Sequence, residues 1–242
     1  MQAPLLGIYA LLAEWNALVD PASERDAALI KLEWWRDEIR RWVGASPVHP
    51  IGIYIASLPR AALVDLAPLV SSVDATAADA NGAPLERAAD LAPHVHSLRA
   101  VPLAMASRLA GEVEETSLAA CTQALAVADY LSRAIREYRR EARSGRIPFP
   151  VDELLAAGID NDDLLADAPP ARLDAYLQTL RERAASHYHI AARALPPQVR
   201  GEQRHLLVLA ALGARKPRAV RDMLLAWNTA RRAASMKVQV EK

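Results

Sequence analysis

The stretch Ala126-Val-Ala-Asp-Tyr-Leu-Ser-Arg-Ala-Ile-Arg-Glu-Tyr-Arg-Arg-Glu-Ala-Arg-Ser-Gly-Arg-Ile-Pro-Phe-Pro150 decides how this chain folds. It sits at the end of a run from Glu112 to Arg143, the longest without proline or glycine, that changes from small and apolar to strongly basic. Residues of this kind with no breaker among them default to α-helix. Gly145 and Pro148 then stop it. On such a helix Glu137 and Glu141 lie one turn apart on the same face. Arginines at 133, 136, 139, 140, 143 and 146 surround them and leave residues 133–146 with four positive charges in excess.

Outward from this helix, proline and glycine divide the rest of the chain. Ile8 to Val19 reads as an apolar helix that Pro21 ends after Asp20. Ser23 caps a second, from about Glu24 to Val43, with Ile30, Leu32, Trp34, Trp35, Ile39 and Trp42 among its apolar residues and Gly44 at its end. Ser46 to Pro50 is a turn, and Ile51 to Val70 is broken by Pro59 and Pro68 into two short helices. Asp74 to Asn81 is Ala- and Asp-rich and polar, and closes with a loop at Gly82-Ala83-Pro84. Helical patterning resumes from Leu85 to Leu109 with a kink at Pro93 or Pro102. A short helix around Asp152–Ala157, a long one from Pro169-Pro170 to about Leu195, and two last helices near Gly201–Leu212 and Pro217–Ser235 follow. No repeat or linker splits the chain, so residues 1–242 read as a single all-α domain.

Twenty-nine Lys and Arg balance 29 Asp and Glu, which excludes a generally basic, nucleic-acid-binding protein. One cysteine, Cys121, excludes a disulfide framework and a Cys-rich metal site, and points to a reducing compartment, with the cytoplasm as the default. The opening residues lack a secretory pattern, and no uncharged stretch is long enough to span a membrane. His94-x-His96 and His187-x-His189 are metal-like pairs, but residues two apart on a helix diverge and chelate poorly, so surface or core histidine is the simpler reading. Cys121 reads as a buried packing residue, and at most one of Trp34 and Trp35 faces inward.

The arginine-rich face has two readings on composition. It is either a solvated helix whose Glu and Arg pair at three or four residues, each pair worth ~0.2–0.5 kcal/mol, or an anion site whose guanidinium groups fork onto phosphate oxygens. Arg-rich helices also bind acidic lipid surfaces.

Spacing adds a resemblance. Ala-x-x-Leu-x-Arg-x-Ile-Arg-Glu-x-x-x-Glu-Ala-Arg-x-Gly-Arg-Ile-x-x-Pro is similar to the second aspartate-rich block of the squalene/phytoene synthase family, approximately G-x-A-x-Q-L-T-N-I-L-R-D-x-x-E-D-x-x-x-G-R-I-Y-L-P. Leu32-Glu33-Trp34-Trp35-Arg36 through Gly44, Pro47, His49 and Pro50 resembles the family's E-W-R helix and G-x-P-x-H-P turn. Ile8-Tyr9-Ala10-Leu11-Leu12-Ala13 resembles the helix that leads into the first aspartate-rich motif. The resemblance implies a class I isoprenoid synthase fold: a helical bundle around a central cavity for two polyprenyl diphosphates, with Mg²⁺ held between two aspartate-rich motifs on facing helices.

Against that pattern the acids are depleted. At the first D-D-x-x-D the chain reads Val19-Asp20-Pro21-Ala22-Ser23, one carboxylate of three. At the second, Glu137 and Glu141 stand for the principal aspartates, Arg140 for the intervening acid, and Arg133 and Tyr130 for the Asn and Gln. Six acids become three, and an extra methylene carries each glutamate carboxylate ~1.5 Å outward, which suits near-octahedral Mg²⁺ poorly. The expected function is a catalytically degenerate member that binds an isoprenoid or lipid or a protein partner, as an assembly factor does. The alternative keeps Mg²⁺-dependent head-to-head condensation, with Glu137, Glu141 and Asp20 as a reduced metal site and Arg133, Arg136, Arg140 and Arg146 on the diphosphates. A third use sets the Arg133–Arg146 face on a membrane periphery or an acidic partner.

Overall fold

The computed structural model describes residues 3–20, 23–213 and 225–233, and every regular element in them is helical. The expected effect of Pro21 and most of the expected helix at 217–235 fall outside the described residues, although 225–233 is helical. The first three helices are α1 (Ala3–Leu18), α2 (Arg25–Val43) and α3 (Pro50–Ala56). Then come α4 (Leu69–Asn81), α5 (Ala88–Val95), α6 (Val101–Ala110) and α7 (Glu115–Arg143). The chain continues through α8 (Val151–Ala156), α9 (Asn161–Leu165), α10 (Ala171–Ala194) and α11 (Arg204–Gly213).

The longest of these, α7, starts where the Glu114 carboxylate accepts the amides of Thr116 and Ser117, each at 2.7 Å. Those bonds hold the Glu114 carboxyl down at about 2. The helix ends at Gly145, whose φ of 76° is a left-handed geometry that suits glycine. α7 packs along α10 and also meets α5, α6, α9 and α11. Its apolar first half, with Leu118, Cys121 and Leu125, buries against Tyr188, Leu195 and Leu206. Its second half, with Tyr130, Leu131, Ala134 and Tyr138, closes over Phe149, Leu173, Leu177 and Leu180. A third core joins Ile8, Leu11 and Trp15 of α1 to Leu32, Trp35, Ile39 and Trp42 of α2.

Two departures from the sequence expectation bear on function. The polar stretch Asp74–Asn81 is the second half of α4, because Leu69, Ser72, Val73, Thr76 and Ala80 recur at helical spacing and bury one face beside α2. That continuation carries Asp79 into the interior. The expected kink lies between Pro93 and Pro102 and is a π-helical turn over His96–Ala100. Pro102 has no N–H for the Leu98 carbonyl, so the backbone widens there. This turn directs Arg99 inward.

Candidate functional site

One face of α7 presents Tyr130, Arg133, Glu137 and Glu141, spaced three or four residues apart. Glu141 is buried, and the turn at Gly145 returns Arg146 over the end of the helix. The Arg146 amide donates to the Glu141 carbonyl at 3.0 Å, and its Nε pairs with the Glu141 carboxylate at 2.8 Å. The same guanidinium donates to the Val19 carbonyl at 2.9 Å and to the Asp79 carbonyl at 3.3 Å. Arg146 therefore ties the ends of α1 and α4 to α7. It lies flat on Gly82, where a Cβ would stand 3.1 Å from Arg146 Cγ and Cδ.

Asp20 receives Arg140 Nη1 at 3.0 Å, a bond that raises the Arg140 pKa. Arg140 also pairs with Glu137 at 3.2 Å, as does Arg136 at 3.3 Å. The structure thus brings together all three expected acids, Asp20, Glu137 and Glu141, with Arg133, Arg136, Arg140 and Arg146 among them. Each of the three carboxylates has an arginine.

Sequence reasoning missed four members. Asp79 pairs with His94 Nε2 at 2.9 Å and with Arg133 at 3.5 Å. Arg99 donates to Asn16 Oδ1 at 2.6 Å and faces Asp129 at 3.8 Å. Burial pulls the Arg99 pKa down and Asp129 partly restores it, yet a guanidinium keeps its proton. A signal for Asn16 was present: α1 ends at Leu18, so Ser23 lies beyond it, whereas Asn16-Ala17-Leu18-Val19-Asp20 carries the D-D-x-x-D spacing with Asp20 as its last acid. On either register one carboxylate of three remains.

His94 and His96 have separate partners: His94 is on Asp79, and His96 Nδ1 meets Gln123 at 2.8 Å. Cys121 is buried and its thiol is pushed up to about 12 by that burial, so it is inert. Trp35 is buried and Trp34 is 42% exposed, one inward and one outward.

The profile of the squalene/phytoene synthase family matches residues 1–232. The chain belongs to the squalene/phytoene synthase family. Two solved structures share its fold. A dehydrosqualene synthase in complex with ligand aligns at a TM-score of 0.69 and 14% identity, over 96% of this chain and 87% of that one. A squalene synthase from Alicyclobacillus acidocaldarius aligns at 0.67 and 18% identity, over 94% of this chain and 82% of that one. No curated protein sequence matches at a significant level.

For a squalene/phytoene synthase family member the question is whether these residues fit Mg²⁺. Among the described residues no three His, Cys, Asp or Glu side chains gather around a common point. An entering ion meets Arg133, Arg136, Arg140 and Arg146 as well as Asp20, Asp79, Glu137 and Glu141. At an effective dielectric of about 20, each unit-charge pair at ~4 Å is worth ~4 kcal/mol of either sign, so attraction and repulsion cancel. The cost of stripping water from Mg²⁺ remains uncompensated. The residues do not fit the metal.

The pocket at this end of the bundle is small. It is lined by Asp79, Gly82, Tyr130, Arg133, Glu141 and Arg146 and has a volume of about 40 Å³. Small-molecule sites run from ~300 to ~1,000 Å³. Tyr130 forms part of its wall and donates its hydroxyl to the Pro148 carbonyl at 3.3 Å.

Proposed function

We propose that this member of the squalene/phytoene synthase family does not condense polyprenyl diphosphates and works instead as a scaffold that meets a protein partner on its outer surface. The observation that carries the reading is the pairing of Asp20, Glu137 and Glu141 with Arg140, Arg136 and Arg146. Catalysis in this fold needs cations that hold diphosphate and help it leave, and here the acids that would hold cations already neutralise arginines. The narrow pocket supports the same reading against a buried isoprenoid. On the surface, Ile30 and Trp34 are exposed one turn apart on α2, as suits a protein contact better than solvent.

The Arg133–Arg146 face offers less to a membrane than its sequence suggests. Arg139 donates to the Asp167 carbonyl at 2.9 Å, and Asp20, from the segment after α1, and Asp79 of α4 offset Arg140 and Arg133. Among the described residues no helix is long and apolar enough to cross a membrane.

The test is direct. Purified protein with Mg²⁺ and farnesyl or geranylgeranyl diphosphate should release no pyrophosphate above a protein-free control. Release that falls on Glu137→Ala would overturn the proposal and restore the enzyme, with Glu137, Glu141 and Asp20 as its metal site.

A further inference from the structure

Arg99 is the arginine of this region that no motif accounts for. The π-turn between Pro93 and Pro102 sets it between α1 and α7, with 14% of its side chain exposed. There it links Asn16 of α1 to Asp129 of α7, at 2.6 and 3.8 Å. Four residues on, just past the end of α1, Asp20 is linked back to Glu137 of α7 through Arg140, at 3.0 and 3.2 Å. Arg146 supplies a third link, from Glu141 of α7 to the Val19 and Asp79 carbonyls.

We propose that Arg99, Arg140 and Arg146 are resident cations that cross-link the two motif helices in place of exchangeable divalent ions, and so hold this face shut without metal or ligand. The inference rests on the scaffold reading of the same site. A guanidinium suits the role because it is planar, forks onto two oxygens at once and keeps its charge throughout the accessible pH range. Ordinary surface ion pairs contribute almost nothing, but one of these links is buried on both sides and a second on one. Arg146 and Glu141 are 13% and 8% exposed along their side chains, while Arg99 is 14% exposed against an Asp129 that is 61% exposed. Removing a divalent ion opens a metal-held face; this one has no ion to lose. The links also join residues far apart in sequence, so they constrain tertiary structure and not a single helix.

The experiment is hydrogen exchange and thermal unfolding of the full chain, with chelator, with neither addition, and with millimolar Mg²⁺. For the unmodified protein, melting should be the same in all three. Arg140→Gln, whose side chain is half exposed and whose loss leaves the core intact, should raise amide exchange at the α1 end around Leu18 and Val19 by about tenfold. Arg99→Gln should do the same or more, and Asp20→Asn combined with Arg140→Gln should add nothing to Arg140→Gln alone. A melting temperature of the unmodified protein that rises with Mg²⁺, or α1 exchange unchanged in Arg140→Gln, overturns the proposal. No substrate enters these measurements, so they separate this inference from the scaffold reading: a chain that releases no pyrophosphate still fails here if α1 does not loosen.

Discussion

Glu38 has no exposed surface, yet it is the most completely satisfied acid among the described residues of α2. Its carboxylate accepts from Trp42 Nε1 at 2.8 Å, from Arg41 Nε at 2.8 Å, and from the amides of Val48 and His49 at 2.9 and 2.7 Å. It therefore fixes the turn between α2 and α3. Burial alone would raise its pKa, but the four donors outweigh burial and hold it at about 2, against 4.5 for a free carboxyl. The sign follows: a depressed folded value adds stability at pH above 4.5, and that stability is lost as pH falls from there toward 2. Glu38→Ala should cost about 2–3 kcal/mol near neutral pH, because the buried amides and indole N–H lose their acceptor. Urea midpoints of the two proteins, compared at neutral pH and again below 4.5, should converge in acid. A gap that holds constant or widens would mean that the turn does not depend on the ionised carboxylate.

At the level of elements, α7 shows both what the sequence carries and where it stops. Proline, glycine and apolar spacing marked α2, α7 and α10 to within a few residues, because those signals act locally. The family resemblance likewise put Asp20, Glu137 and Glu141 at one site. The partners were not legible. Nothing in Asp74–Asn81 announces that its helix delivers Asp79 to Arg133, and nothing near Pro102 announces that a π-turn aims Arg99 at Asn16, since both depend on packing between segments distant in sequence. Even the excess of four charges at 133–146 describes the helix alone, because Asp20 and Asp79 arrive from elsewhere. The turn that ends α7 can be tested by itself. Gly145 has a φ of 76° and nothing within 4 Å of an added Cβ, so Gly145→Ala meets strain and no clash. It should destabilise by about 1 kcal/mol, or ~2–4 °C in melting temperature at this chain length. Gly158, with a φ of 66° and equally open space, is the control. Gly158→Ala should cost the same, while only Gly145→Ala, by misdirecting Arg146, should speed amide exchange at Val19. Equal exchange in the two variants would separate the turn from the arginine.

For the whole molecule, the decisive quantity is volume. A squalene/phytoene synthase fold that works on polyprenyl chains must enclose an apolar chamber, and each of the three cores of this chain contains buried aromatic rings. Trp15, Trp35 and Trp42 stack edge to face in one core, with ring centroids 6.3 and 6.2 Å apart. Tyr130, Tyr138 and Tyr188 are buried in the others. About 40 Å³ at the motif end is room for a few waters and far below the ~300 Å³ at which small-molecule sites begin. A pocket this narrow at the motif end should not take up a fifteen-carbon chain: titrating farnesyl diphosphate or farnesol should neither change tryptophan emission nor raise the melting temperature, with or without Mg²⁺. Tyr130→Ala removes a buried ring from the wall of this pocket. It should cost about 3–5 kcal/mol, the usual range for emptying a buried aromatic site, and leave the fold helical by circular dichroism. Its enlarged cavity should admit a small apolar probe that the unmodified protein excludes, seen as a rise in melting temperature with probe concentration. If the unmodified protein is stabilised by farnesol as strongly as the variant, the bundle opens in solution to a chamber that its resting packing conceals, and the scaffold reading gives way to a lipid-binding one.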